Sequence, residues 1–264
     1  MAQERGEFFG QVVLITGGGQ GLGQVLARSF AQEEASVVVA DIAQDAAEQV
    51  AEELRQNRKR SVAVAGDVSN PKDCERWVTT AVEQFGGLDV LINNASIGGP
   101  VRAVREMDLE GWEQTLSVNL TGPMLCARAA LDVMVPRKRG NIVNVASNVG
   151  KRGLPLRSPY VVSKWGMLGL TQTLALELAQ EGIRVNAVCP GAIQGERVEG
   201  YIRRQAKSLG VSAEEVREKW LSGVPMQRMV SPEEVAEVVL FLASSRTSAM
   251  TGQAINVTAG MMMD

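Results

Sequence analysis

Val12-Val13-Leu14-Ile15-Thr16-Gly17-Gly18-Gly19-Gln20-Gly21-Leu22-Gly23 is the stretch whose reading decides the architecture. An apolar, β-branched run passes through a glycine-rich turn into an amphipathic pattern over residues 21–33, which reads as strand, turn and helix. With no Cβ in the way, the backbone N–H groups of such a turn and the N-terminus of its helix are able to face a pyrophosphate. A glycine-rich stretch alone is a weak signal, and its place after the first strand of a strand-helix-strand unit strengthens it.

Outward from this stretch the same alternation continues. Short apolar runs lie at 12–16, 36–40, 61–66, 90–93, 141–146, 184–188 and 254–257, which predicts about seven strands. Helical patterns lie between them at 21–33, 43–57, 72–85, 110–135, 159–180 and 232–243, several opened by Ser, Asp or Asn before Pro or an acid. Alternation of this kind means parallel strands joined by right-handed crossovers, and strands apolar throughout are buried on both faces. The expected fold is therefore α/β, a Rossmann-like doubly wound parallel sheet with helices on both faces, in a single domain. Residues 194–223 break the pattern: they hold no strand, and their helical stretches 197–208 and 213–222 are charged and weakly apolar. Because ligands of open α/β sheets bind beyond carboxyl strand ends, this segment is expected to be a mobile lid over the substrate.

Composition removes whole classes of function. The 264 residues are 45% apolar and 22% charged, which argues against disorder, and the net charge of −3 gives no electrostatic reason to expect nucleic acid. The short basic run from Arg55 to Arg60 reads as a solvated helix end. No stretch approaches the roughly 20 apolar residues that span a bilayer, and residues 1–9 lack the apolar core of a secretion signal, so no membrane partner and a cytoplasmic location are expected. Cys74, Cys126 and Cys189 are widely separated, lack metal-ligand spacing and read as small core residues. The chain contains no histidine, which excludes imidazole-based triads and His-rich metal sites, and no metal is expected.

Four strand ends carry residues suited to a dinucleotide. Gly17, Gly19, Gln20, Gly21 and Leu22 follow the first strand, and Asp41 and Ile42 follow the second, where an acid accepts bonds from ribose hydroxyls. The Asp41 carboxylate would repel a 2′-phosphate, and neither Gln20 nor Ile42 supplies a cation for one, which favours NAD over NADP. Asp41 is also chemically suited to cap the helix that follows it. Asp67 and Val68 follow the third strand, where the adenine would lie, and Asn94, Ala95 and Ser96 follow the fourth.

Tyr160 and Lys164 stand four residues apart, on one face of the helix that opens near Pro159. A phenol ionises near pH 10, so it needs a neighbouring cation to act as a base near neutrality, and Lys164 is such a cation. Ser147 directly follows the apolar run 142–146, which puts its hydroxyl at a carboxyl strand end. Asn119 is a mediocre helix former inside the 110–135 pattern and benefits from a hydrogen-bonding task.

In order and spacing, the glycine turn at 16–23, Asp67, Asn93-Asn94-Ala95, Asn119, Ser147, the Tyr160 and Lys164 pair, and Pro190-Gly191 resemble the short-chain dehydrogenase/reductase family from about Gly10 to Gly260. The resemblance implies that Ser147 binds the substrate oxygen, Tyr160 exchanges its proton, Lys164 binds the nicotinamide ribose while lowering the tyrosine pKa, and Asn119 holds a relay water. It also implies that Pro190, Gly191 and Ile193 border the nicotinamide, that the substrate is a small alcohol or ketone, and that the protein is a homotetramer paired through the 110–135 and 159–180 helices. An NADP-dependent carbonyl or 3-oxoacyl reductase and a non-catalytic NAD-binding sensor are the alternative readings. Ser96 stands where the family usually has glycine, Gly195 where a threonine often contacts the nicotinamide amide, and Thr258-Ala259-Gly260 where an acidic-glycine ending is usual. The substrate is not readable: Arg152, Arg197, Arg203 and Arg204 suit an anionic partner or plain solvent, while Leu154, Leu156 and Met261 to Met263 suit an apolar pocket or a subunit contact.

Overall fold

The computed structural model describes residues 5–264. Its strands are β1 Val12–Thr16, β2 Ser36–Asp41, β3 Ser61–Ala65, β4 Val90–Asn93, β5 Gly140–Val145, β6 Ile183–Pro190 and β7 Ala254–Val257. All pair in parallel in one sheet of order β3-β2-β1-β4-β5-β6-β7. Its helices are α1 Gly21–Gln32, α2 Gln44–Gln56, α3 Pro71–Phe85, α4 Leu109–Leu116, α5 Gly122–Met134, α6 Ser158–Leu178, α7 Glu196–Leu209, α8 Ala213–Leu221 and α9 Pro232–Ala243. Successive strand residues point to opposite faces, so Val13 and Ile15 of β1 pack with Leu26 and Phe30 of α1 and with α9. Val12 and Leu14 pack instead with Trp77 of α3 and Cys126 of α5. Strand order reverses between β1 and β4, which opens a crevice at the carboxyl ends of the sheet.

Helix starts follow the expected chemistry. Asn70 caps α3 ahead of Pro71, and Ser212 with Glu215 and Ser231 with Glu234 form reciprocal capping boxes on α8 and α9. All three cysteines are buried, as expected of core residues. Among the described residues no helix is long and apolar enough to cross a membrane, and no cluster of His, Cys, Asp or Glu is arranged to hold a metal.

Two elements depart from expectation. The 110–135 pattern is not one regular helix: between α4 and α5, Ser117–Thr121 form a π-turn, closed by a bond from the Gly122 N–H to the Ser117 carbonyl. This wide turn accommodates one extra residue and turns Asn119 inward to full burial. Residues 194–223, read as weakly apolar, nevertheless make a small core of their own, in which Ile202 and Ala206 of α7 meet Val216 of α8 and Met229. Trp220 Nε1 donates to Gln205 Oε1 at 3.0 Å across the pair.

At the amino edge of the sheet, the buried Asp89 carboxylate accepts from the Val12 N–H at 2.9 Å and from Arg139 at 2.8 Å, with Arg137 at 3.3 Å. Asp89→Ala leaves the buried Val12 N–H without its acceptor, and should lower stability by about 2 kcal/mol in urea unfolding.

Candidate active site

The glycine turn is clamped from two sides. Asn94 Nδ2 donates to the Thr16 and Gly17 carbonyls, both at 3.0 Å, and Thr16 Oγ1 accepts from the Asn94 and Ala95 N–H groups, both at 3.1 Å. A Cβ on Gly23 would overlap the Gly17 carbonyl oxygen, so the turn closes against the helix only with glycine there. On the other side Asp41 Oδ2 accepts from the Gly19 N–H at 2.9 Å and Oδ1 from the Ala43 N–H at 3.0 Å. Asp41 is therefore not the cap of α2, whose N-cap is Ala43; it joins the end of β2 to the glycine turn instead.

The start of α1 is open. Its N-cap, Gln20, makes no side-chain bond, the first turn holds no acid, and among the described residues Gly21 and Leu22 have no partner for their N–H groups. Orphan donors at the positive end of a helix fit the phosphates of a dinucleotide. Around them, Ile42 is exposed beside Asp41, and Asp67 Oδ1 accepts from the Ser69 N–H at 2.8 Å and hydroxyl at 2.7 Å. Val68 lies buried beneath. Pro190 ends β6, and the Gly191 N–H bonds the Val257 carbonyl at 2.9 Å. Ile193 bridges Val230 through bonds made by Ala192 and Gln194, leaving its own N–H and carbonyl outside that bridge. Gly195 has φ of 144° and ψ of 172°, a conformation that a threonine would adopt only under strain, which accounts for the departure noted there.

Tyr160, Lys164 and Asn119 are linked through α6, and Lys164 ties that helix to β5, which Ser147 follows. Ser147 Oγ accepts from the Val149 N–H at 3.4 Å and donates to Asn148 Oδ1 at 3.2 Å. Lys164 is buried one turn along α6 from Tyr160, with Nζ 5.7 Å from the phenol ring centroid and donating to the Val145 carbonyl at 2.8 Å. Burial pushes the Lys164 pKa down to about 7, with the Arg197 cation adding to the effect and Cys189 opposing it. Asn119 Oδ1 accepts from the Ile97 N–H at 2.8 Å, while Nδ2 donates to the Ile97 carbonyl at 2.9 Å and to Ser163 Oγ at 3.2 Å. Ser163 in turn donates to the Tyr160 carbonyl at 2.7 Å, so Asn119 braces the tyrosine's own turn of helix.

Sequence reasoning missed Ser163, Arg157 and Tyr201. Ser163 was detectable, because three residues from Tyr160 places it on the same helix face. Arg157 and Tyr201 are 44 positions apart and meet only in the fold, where Arg157 Nη2 lies 3.5 Å from the Tyr201 hydroxyl. Of the arginines noted at the mouth, Arg197 donates to Ser96 Oγ at 3.2 Å and Arg204 stacks over Tyr201, while Arg203 pairs with Glu196 and Arg152 rests on Met261 Sδ. Leu154, Leu156 and Met263 are exposed, and Met261 packs against the core.

An open helix end at a switch point, an acid at the end of the second strand, and a tyrosine-lysine pair beside a serine define the class of doubly wound oxidoreductases that use a nicotinamide dinucleotide. A family model described as enoyl-(acyl carrier protein) reductase matches residues 17–262. An uncharacterized oxidoreductase of Thermotoga maritima is 39% identical over 253 residues, covering 96% of this chain and 98% of the relative. The solved actinorhodin polyketide ketoreductase with NADPH superposes with a TM-score of 0.91 at 36% identity, over 95% of this chain and 97% of that one. NAD+-bound xylitol dehydrogenase gives 0.90 at 31% identity, over 95% and 98%. The chain belongs to the short-chain dehydrogenase/reductase family, and is an oxidoreductase of that family.

The buried lysine carries a pH signature. Folded Lys164 releases its proton near 7 and an unfolded lysine near 10.5, so between these values the unfolded chain binds more protons. Through this side chain the folded state therefore becomes more stable as pH rises across that window. Without cofactor, Lys164→Met should raise the melting temperature relative to the parent at about pH 6, and the difference should shrink toward about pH 10 in paired thermal scans.

Proposed function

We propose that the protein interconverts a secondary alcohol and a ketone with NAD, with Tyr160 as acid and base. The observation that carries this reading is the Tyr160 ring set over the buried Lys164 ammonium, one strand end from Ser147. A bound nicotinamide would supply the hydride chemistry. Ser147 holds the substrate oxygen, and Tyr160 as tyrosinate takes the hydroxyl proton; for ketone reduction the phenol gives it back. Lys164, held by the Val145 carbonyl, would favour the tyrosinate by its charge and would hold the nicotinamide ribose. Asn119 has both amide protons committed, so a relay water is assigned to its oxygen side.

Gly17, Gly19, Gln20, Gly21 and Leu22 are assigned the pyrophosphate, Asp41 and Ile42 the adenosine ribose, and Asp67 and Val68 the adenine. Asn94, Ala95, Ser96, Pro190, Gly191 and Ile193 are assigned the nicotinamide half. NAD is favoured over NADP because the Asp41 carboxylate, anchored by the Gly19 and Ala43 N–H groups at the end of β2, stands where it would repel a 2′-phosphate. We assign residues 194–223 the role of a lid hinged at Gly195, in keeping with their separate small core and with Arg197 reaching back to Ser96. A homotetramer is supported by exposed apolar side chains along α5 and α6, namely Met124, Val162, Trp165 and Leu176. The buried free thiols are in keeping with a cytoplasmic location.

Tyr160→Phe should lower turnover of a secondary alcohol by about 10² to 10⁴-fold while the NAD dissociation constant stays near its original value; retained turnover removes the assignment. Titration with both cofactors should show tighter binding of NAD than NADP, and a reversed preference removes the role given to Asp41. Light scattering on a sizing column should give four chains per particle.

A further inference from the structure

The chain has two tyrosines, and the fold brings both against one guanidinium. Arg157, the residue before α6, has its Cζ 5.2 Å from the Tyr160 ring centroid and 4.8 Å from that of Tyr201 on α7. The guanidinium is thus fixed between the catalytic phenol and the helix pair that overhangs it. Arg204 sits over Tyr201 at 4.7 Å, and Arg197 reaches from the same helix to Ser96. Packing is close enough that a Cβ at Gly98 would overlap the Tyr201 hydroxyl.

Charge around this group is unbalanced. Elsewhere on the same helix pair the arginines are neutralised, Arg203 by Glu196 and Arg217 by Glu199 and Glu214. Among the described residues Arg157, Arg197 and Arg204 pair with no carboxylate. Arg157 Nε is buried without a hydrogen-bond partner, and so is the hydroxyl of Ser158 beside it at the start of α6. The first turn of α6 contains no acid. A guanidinium held in place with no carboxylate partner is a group that a substrate oxyanion suits. Desolvation raises the Tyr201 pKa, but the charge and hydrogen bonds of Arg157 and Arg197 outweigh it, so the net shift is downward.

We propose that the substrate carries an anionic group beside its reacting carbon. Arg157 and the Tyr201 hydroxyl bind that group, with Arg197 closing over it, while the alcohol or carbonyl meets Tyr160 and Ser147. A carboxylate and a phosphate monoester share this chemistry. The inference rests on the dehydrogenase reading for the position of the reacting carbon, and its core, anion recognition at Arg157, is measurable without turnover.

The test uses Tyr160→Phe protein saturated with NAD and calorimetric titration of matched pairs: 3-hydroxybutanoate and 4-hydroxypentanoate against their methyl esters, and glycerol 3-phosphate against glycerol. At least one anion should bind about tenfold or more tightly than its neutral partner, and which pair shows the difference separates carboxylate from phosphate. Adding Arg157→Gln should abolish the difference, Arg157→Lys should restore part of it, and the exposed Arg197→Gln should weaken it without disturbing the fold. Equal binding within every pair, or no binding by any anion, overturns the proposal. It is also overturned if the arginine variants weaken NAD and leave the anions unchanged, which would assign these cations to the cofactor phosphates. Turnover by unaltered protein separates the two readings: neutral alcohols oxidised as well as acids leaves the dehydrogenase and removes anion recognition, whereas tight anion binding with no hydride transfer does the reverse.

Discussion

A lysine ammonium drawn into the interior and bonded to the Val145 carbonyl is the contact on which the rest of the site turns. It fixes α6, which carries Tyr160, to the carboxyl end of β5, two residues before Ser147. Burying a cation this fully is unfavourable unless its surroundings repay it with hydrogen bonds and later with an anionic partner. The depressed proton affinity of Lys164 is the mark of that cost. Elements apparently remote from the reaction serve this contact. The π-turn at Ser117–Thr121 presents Asn119 to Ser163, and Ser163 holds the carbonyl of Tyr160, so the first turn of α6 is braced from the side opposite the strand.

Much of this was legible along the chain, for reasons that differ from element to element. The strands were readable because a parallel sheet covered on both faces demands apolar runs, as in β1, β2 and β4, whose polar residues stand only at their ends. The glycine turn was readable because close packing leaves no room for a Cβ at Gly23. The role of Asp41 was half readable: an acid at that strand end was evident, but its grip on Gly19 is a contact across 22 positions that depends on strand pairing. The π-turn was invisible, since one added residue hardly disturbs an apolar periodicity that continues on both sides of it. The meeting of Arg157 with Tyr201 was equally hidden, because each residue alone resembles ordinary surface chemistry.

The segment 194–223 shows why a weak hydrophobic pattern is a poor guide to order. Its helices carry many charges, yet Ile202, Ala206 and Val216 suffice to pack the pair when Met229 closes one side. The pair is also tied to the rest of the fold, by Leu221 packed on the main core, by Tyr201 against Arg157 and by Arg197 on Ser96.

The wide turn at Ser117–Thr121 has one more implication, which concerns phase. A regular helix advances about 100° per residue, so a single residue absorbed into the turn resets the angular relation between α4 and α5. Before the turn α4 packs against α6, whereas Leu125 and Cys126 after it join the core beneath the sheet. The added residue lets one continuous rod present one stripe to a helix and another to a sheet, with a functional amide at the seam. A deletion at this point would leave the composition almost untouched and turn every later side chain of the rod away from its partner.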